Sequence, residues 1–186
     1  MKKNFLMLVL VAVASLTVIS ADAFAQMNPT VGGAAMYRNK SIVENALNSP
    51  IHTTLVSAVK SAGLVETLSG KGPFTVFAPT NDAFAKVPSD ALNSLMQPEN
   101  KAMLTKILTY HVVPGKMDAK AIMKAIKKGG GKATFTTVSG DTLTAHMDGN
   151  AVVVMDEKGG MARVTTANVY QKNGVIHVID TVLMPN

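Results

Sequence analysis

The sequence predicts an α+β fold, and three observations carry that reading. Helical periodicity dominates from Ser41 to about Lys127, tight turns between alternating β-formers dominate from there on, and the final run is apolar on both faces. Helices first and consecutive antiparallel strands after them is the order expected of a helical layer packed on an antiparallel sheet. The chain has 186 residues, of which 47% are hydrophobic and 16% charged. That composition suits one ordinary domain and excludes a disordered or collagen-like chain.

Lys2 and Lys3 precede an uncharged run from Asn4 to Ala21, and Ala23-Phe24-Ala25 forms an A-x-A site. Residues 1–25 therefore read as a secretory signal peptide removed after Ala25, with no stable membrane span in what remains. Residues 26–40 are small and polar, with Pro29, Gly32 and Gly33, and read as a flexible lead-in to a domain over 41–186. Ser41 with Glu44 has capping-box spacing at the start of the first helix. Ile51, Leu55, Ala58, Val59 and Ala62 mark one face of a second helix, which Gly63 should stop.

The turn Gly70-Lys71-Gly72-Pro73 leads into a strand from Phe74 to Ala78, closed by Pro79. Short helices are expected around Ala83, where Asn81 or Asp82 can cap, then from Ser89 to Met96 and from Pro98 to Leu108. Asp118 can cap a last helix to about Lys127. Strands follow over 133–138, 141–147, 150–155 and 161–169, with Ser139-Gly140 and Asp148-Gly149 as hairpin turns. The last strand, Gly174 to Leu183, puts Val175, His177, Ile179 and Leu183 on one face and Ile176, Val178 and Val182 on the other. Burial on both sides makes it a central strand. His177 and Asp180 then sit in apolar company on opposite faces and each needs a hydrogen-bond partner. On this reading His177 is structural.

The chemistry of most enzyme classes is missing. With no cysteine there is no thiol nucleophile, thiolate metal site or lipidated cysteine. No G-x-S-x-G elbow and no H-E-x-x-H helix occurs, and His52, His111, His146 and His177 are scattered singly. Gly129-Gly130-Gly131-Lys132 lacks the first glycine and the hydroxyl residue of a phosphate loop. Twelve methionines, two of them in the leader, raise copper binding by thioethers. They lack close M-x-M spacing and suit core filling. Neither a cofactor nor a metal site is expected.

The formal net charge is +6, and removing Lys2, Lys3 and Asp22 with the leader lowers it by one. Lys120, Lys124, Lys127, Lys128 and Lys132 form the densest cluster. Such a cluster can attract an anionic glycan, a lipid headgroup or a nucleic acid. Lysines in a last helical turn before glycine are equally a solvated helix end, and without interleaved aromatics that reading is preferred, with no nucleic-acid partner.

Three segments carry a resemblance to a known family. Thr75-Val76-Phe77-Ala78-Pro79-Thr80-Asn81-Asp82-Ala83-Phe84 resembles the first signature of the fasciclin domain. Gly174-Val175-Ile176-His177-Val178-Ile179-Asp180-Thr181-Val182-Leu183-Met184-Pro185 resembles the second, and Leu108-Thr109-Tyr110-His111-Val112-Val113-Pro114-Gly115 is similar to the Tyr-His segment between them. The resemblance implies a wedge-shaped antiparallel β-sandwich with an N-terminal helical layer. It also implies an extracellular, non-enzymatic role in adhesion or in binding a cell-surface or matrix protein or glycan. Where relatives often carry an Asp-Ile pair discussed as an adhesion determinant, this chain has Asn168-Val169.

Most signature residues have a plain physical reading as scaffold, with Phe77 and Phe84 as apolar anchors about the turn at Pro79. The Tyr110–His111 pair is open. If the two alternate along a short strand and Tyr110 packs inward, His111 faces solvent and titrates between about pH 5 and 8. Alternatively His111 is buried against a backbone carbonyl. At the level of function, an exported adhesion protein of the periplasm or the medium stands against an extracytoplasmic binder of a small apolar or glycan ligand. A large apolar cavity favours the second, a filled core the first.

Overall fold

The computed structural model describes residues 28–186; the leader expected over residues 1–25 lies outside them. From Asn28 onward the segment expected to be a flexible lead-in is instead docked. The Asn28 side chain donates to the Tyr170 carbonyl (2.5 Å) and accepts from the Tyr170 amide (2.9 Å). Gly32 and Gly33, both at positive φ, turn the chain so that Val31 pairs with Ala34, and Val31 and Met36 enter the core. Paired polar groups and two buried apolar side chains give the segment a reason to stay in place.

Helix α1 (Ile42–Asn48) begins at the expected capping box, with the Glu44 amide donating to Ser41 Oγ (3.3 Å) and the Ser41 amide to Glu44 Oε2 (2.7 Å). Helix α2 (Thr53–Ala62) stops at Gly63, whose φ of 74° is the left-handed cap that glycine adopts without steric cost. A short helix that the sequence reading omits, α3 (Val65–Ser69), precedes β1 (Phe74–Pro79). Helix α4 (Asn81–Ala85) is capped by Thr80 rather than by Asn81 or Asp82: Ala83 N donates to Thr80 Oγ1 at 3.2 Å. Asn81 is occupied elsewhere, accepting from Thr54 N and donating to the Pro50 carbonyl.

Helix α5 (Ser89–Leu95) and a 3₁₀ turn over Pro98–Asn100 lead into α6 (Lys101–Tyr110). After β2 (Val112–Pro114), Asp118 caps α7 (Ala119–Lys128) as expected, accepting from Ala121 N at 2.8 Å. Strands β3 (Lys132–Thr136), β4 (Thr142–Asp148), β5 (Ala151–Met155), β6 (Met161–Gln171) and β7 (Gly174–Ile179) complete the chain.

The seven strands form one sheet in the order β2-β1-β7-β6-β5-β4-β3. It is mixed rather than wholly antiparallel, because β1 pairs with β7 in parallel from Phe74↔Gly174 to Pro79↔Ile179. The amide of Val138, just past β3, donates to the Val112 carbonyl of β2 (2.8 Å), so the two ends of the sheet nearly meet as a closed barrel or sandwich. Strand β7 is central and every residue in it is buried. Its alternation divides the core. Ile176 and Val178, with Val76 and Ala78 of β1, face helices α1 to α6, while Ile179 and Phe77 face the barrel interior closed by Ile122 and Ile126 of α7. The strand ends at Ile179, short of the expected Leu183. Asp180 therefore lies at a half-exposed rim, not in apolar company, and accepts from Arg163 N (2.9 Å).

Candidate functional site

The Tyr110–His111 junction is positioned by α6, whose last residue is Tyr110 and whose cap is His111 in a helical conformation (φ −80°, ψ −1°). Helical spacing turns consecutive side chains by about 100° rather than 180°. Of the two readings of the pair, the outward-facing His111 is therefore corrected and the buried one holds: Tyr110 is 0% exposed and His111 3%. Tyr110 Oη donates to the Thr142 carbonyl (2.7 Å) and accepts from Glu157 N (3.2 Å), tying α6 to β4 and to the β5–β6 turn. Burial, first of all, pushes the Tyr110 pKa up to about 12.

His111 has partners that fix its tautomer. The Ile107 carbonyl, 2.8 Å from Nδ1, can only accept, and the Leu183 amide, 3.0 Å from Nε2, can only donate. The ring is therefore neutral, with its proton on Nδ1, and burial pushes its pKa down to about 4. The His111 carbonyl accepts from Phe77 N (2.9 Å), so one residue joins α6, β1 and the C-terminal segment.

The other signature residues are also turned inward. Thr75, Phe77, Ala78, Pro79, Phe84, Gly174, Ile176, His177, Val178, Leu183 and Pro185 are buried, Thr80, Asn81 and Asp180 are half-buried, and only Asp82 is exposed. His177 Nε2 bonds to the Met117 carbonyl (2.9 Å) and its ring stacks on Phe77 with centroids 5.7 Å apart. Burial lowers its pKa, as it does that of His52. Val169 is 0% exposed on the helical side of β6, so it offers no surface to a partner. Asn168 sits at a bulge with φ 62° and accepts from Ala119 N (2.7 Å), holding the start of α7. A serine–histidine contact exists between Ser49 Oγ and His52 Nδ1 (2.8 Å), but both residues are buried beneath the helices, out of reach of a substrate in solvent. Among the described residues no group of three or more acidic or histidine side chains is placed to hold a metal ion.

Two concave features remain. An apolar crevice between α1, α2, α3 and β1, bordered by Leu47, Leu55, Val59 and Val76, encloses only about 70 Å³. Ligand pockets for drug-sized molecules run from about 300 to 1,000 Å³, so the crevice speaks for a filled core and against the small apolar ligand. The second is an open groove of about 720 Å³ where the α3–β1 loop, the β6–β7 turn and the residues after β2 come together. Lys71, Lys116 and Lys172 line it, all exposed. Sequence reading missed this site because the three lysines are isolated in the chain. The signal available was a lysine inside each of two glycine-bearing turns, Gly70-Lys71-Gly72 and Lys172-Asn173-Gly174, which only the parallel β1–β7 pairing makes neighbours. Of the clustered lysines, Lys120 and Lys124 are exposed along α7 and Lys127 and Lys128 are exposed in its last turn.

Comparison with known proteins agrees with this architecture. A model of the fasciclin domain matches residues 50–185. The chain is 45% identical over 168 residues to Protein sll1483 of Synechocystis, covering 88% of this chain and 86% of that protein. It is 35% identical to the immunogenic protein MPB70 of Mycobacterium bovis, covering 87% and 78%, and 33% identical to the cell surface glycolipoprotein MPB83 of the same species, covering 87% and 69%. Among solved structures, the domain pair of the insect cell adhesion molecule fasciclin I superposes with a TM-score of 0.71 at 19% identity. The match covers 79% of this chain and 51% of that one, so the chain spans about half of the two-domain structure. Among the described residues no helix is long and apolar enough to cross a membrane.

Proposed function

The chain belongs to the fasciclin domain family, and from that premise we propose that it is an exported, non-enzymatic protein acting through surface contact, in cell adhesion or in binding a surface or matrix component. The observation that carries the reading is where the polar chemistry of the signatures goes. Tyr110 and His111 use all their polar side-chain atoms on backbone groups inside the fold, and His177 uses Nε2 in the same way while its Nδ1 is buried without a partner, which leaves the outer surface to do the work. The leader-like residues 1–25 and the resemblance to a mycobacterial cell surface glycolipoprotein support an extracytoplasmic place.

The test is deletion in the source organism, scored for attachment to a surface and for biofilm. Attachment should weaken and return when the chain is supplied again. Unchanged attachment in the deletion strain overturns the reading. Mass spectrometry of the exported protein should find its start at Gln26.

A further inference from the structure

We propose that the open groove between the α3–β1 loop and the β6–β7 turn binds an anionic polysaccharide, an inference that rests on the surface role above and names its partner chemistry. Three ammonium groups from segments far apart in sequence, Lys71, Lys116 and Lys172, converge on it. The two ion pairs among the described residues, Lys106–Asp141 and Arg163–Asp148, lie elsewhere. The positive charge continues beyond the groove: Lys116 Nζ lies 5.2 Å and the Arg38 guanidinium 4.6 Å from the centre of the Tyr170 ring, and Lys40 Nζ lies 5.3 Å from that of Tyr37. The result is a basic ridge with interleaved aromatic rings, the combination missing from the α7 lysine cluster. One carboxylate, Glu44, lines the groove and a second, Asp118, lies beside it; both are committed to helix caps, Glu44 on Ser41 and Asp118 on Ala121, and the three lysines outnumber the one lining carboxylate. Backbone and side-chain bonds from Ser41 hold Glu44 below the usual carboxylate range, with smaller help from Lys40 and Lys172.

The groove floor is preorganised. Asn173 is buried, donates to the Leu68 and Gly70 carbonyls (2.8 and 3.0 Å) and accepts from Ile42 N (3.0 Å). Gly72 and Gly174 pack backbone on backbone, where an added Cβ would fall 1.9 Å from the Asn173 carbonyl oxygen and 2.2 Å from that of Phe74. A fixed floor lowers the ordering cost of binding an extended, flexible ligand. Ser41, Ser69 and Pro73 also line the groove, and about 720 Å³ gives room for a few sugar units. The lining offers neither apolar pockets for peptide side chains nor a wedge to enter a bilayer. Lysines from three segments and flanking aromatic rings match a chain of carboxylated or sulfated sugars.

The test compares two triple variants of the exported, purified protein that lose the same charge. One is Lys71→Gln with Lys116→Gln and Lys172→Gln; the other is Lys124→Gln with Lys127→Gln and Lys128→Gln. Binding to immobilised polygalacturonate and to dextran sulfate is measured, with neutral dextran and phosphatidylglycerol vesicles alongside, and Tm confirms folding. Binding to either acidic polymer that falls at least tenfold in the groove variant, stays within twofold in the helix variant and weakens with salt supports the site. Equal losses in both variants mean attraction by net charge alone and overturn it. So does binding to vesicles but to neither polymer, or binding to none of the probes. Those failures leave the surface role itself to the deletion strain: attachment lost there with no polymer binding here removes only the glycan partner.

Discussion

The Tyr110–His111 junction and the basic groove lie in one small domain and use polar side chains in opposite ways. At the junction, polar atoms are buried and saturated by backbone partners from α6, β4 and the C-terminal segment. In the groove, the polar framework of Asn173 is buried in the same manner, but it holds up exposed lysines that take part in neither ion pair of the described residues. A polar residue that the fold requires is therefore a poor guide to where the molecule touches others, and charge placed on turns is a better one.

The sharpest way to break this contrast is His111→Ala, which leaves the Leu183 amide and the Ile107 carbonyl without partners in a buried site. It should destabilise by about 3 kcal/mol, read as a lower urea midpoint. A variant of parental stability that no longer supports attachment would move His111 to the working surface. His111→Gln should lose less stability and should leave attachment unchanged at neutral pH.

A smaller effect of the same origin is expected from acid. The folded-state pKa of His111 is depressed to about 4 from an ordinary 6.5, so between those values the unfolded chain binds more protons than the folded one. Stability is then complete above about pH 6.5 and is lost as pH falls, by up to about 1.4 kcal/mol per pH unit for this one ring. His52 and His177, also lowered by burial, act in the same direction. Urea titrations at pH 7 and pH 5 measure the loss, and His111→Gln should flatten it. An outward His111 would have given the reverse, a charge change near neutrality with little effect on folding.

Thr80→Ala removes the cap of α4 and should cost about 1 kcal/mol in thermal unfolding, where Asn81→Ala tests instead the ties to Thr54 and Pro50. At the small end, the groove variant with Lys71, Lys116 and Lys172 changed to Gln should stay within about 0.5 kcal/mol of the parent. A larger loss would show that these lysines serve the fold after all, and the distinction between the two regions would weaken.

Much of the architecture was legible because local signals agreed with the tertiary result. The Ser41–Glu44 box, the stop at Gly63, the Asp118 cap and the two-faced run from Gly174 each appear where the pattern places them. What failed was either non-local or decided by competition. Parallel pairing of β1 with β7 leaves no mark on either strand, and α3 is too short to show a period. Thr80, Asn81 and Asp82 were all competent caps, and the choice fell to Thr80 because Asn81 is drawn to Thr54 and Pro50. The assumption of strand alternation at Tyr110 failed because the helix runs two residues past the expected end at Leu108. The groove was invisible for the first of these reasons, since its lysines meet only through the sheet.

That parallel pairing also sets an order of events during synthesis. Phe74 waits for Gly174, and the strand that completes the middle of the sheet leaves the ribosome long after the strand it joins. Closing so wide a loop is slow compared with forming helices or hairpins. A nascent chain lacking β7 has the segments of the helices and of the β3–β6 meander, but no centre on which to assemble them. Such a chain stays open until β7 has been made, and the sheet becomes one rigid body only when Gly174–Ile179 closes on β1.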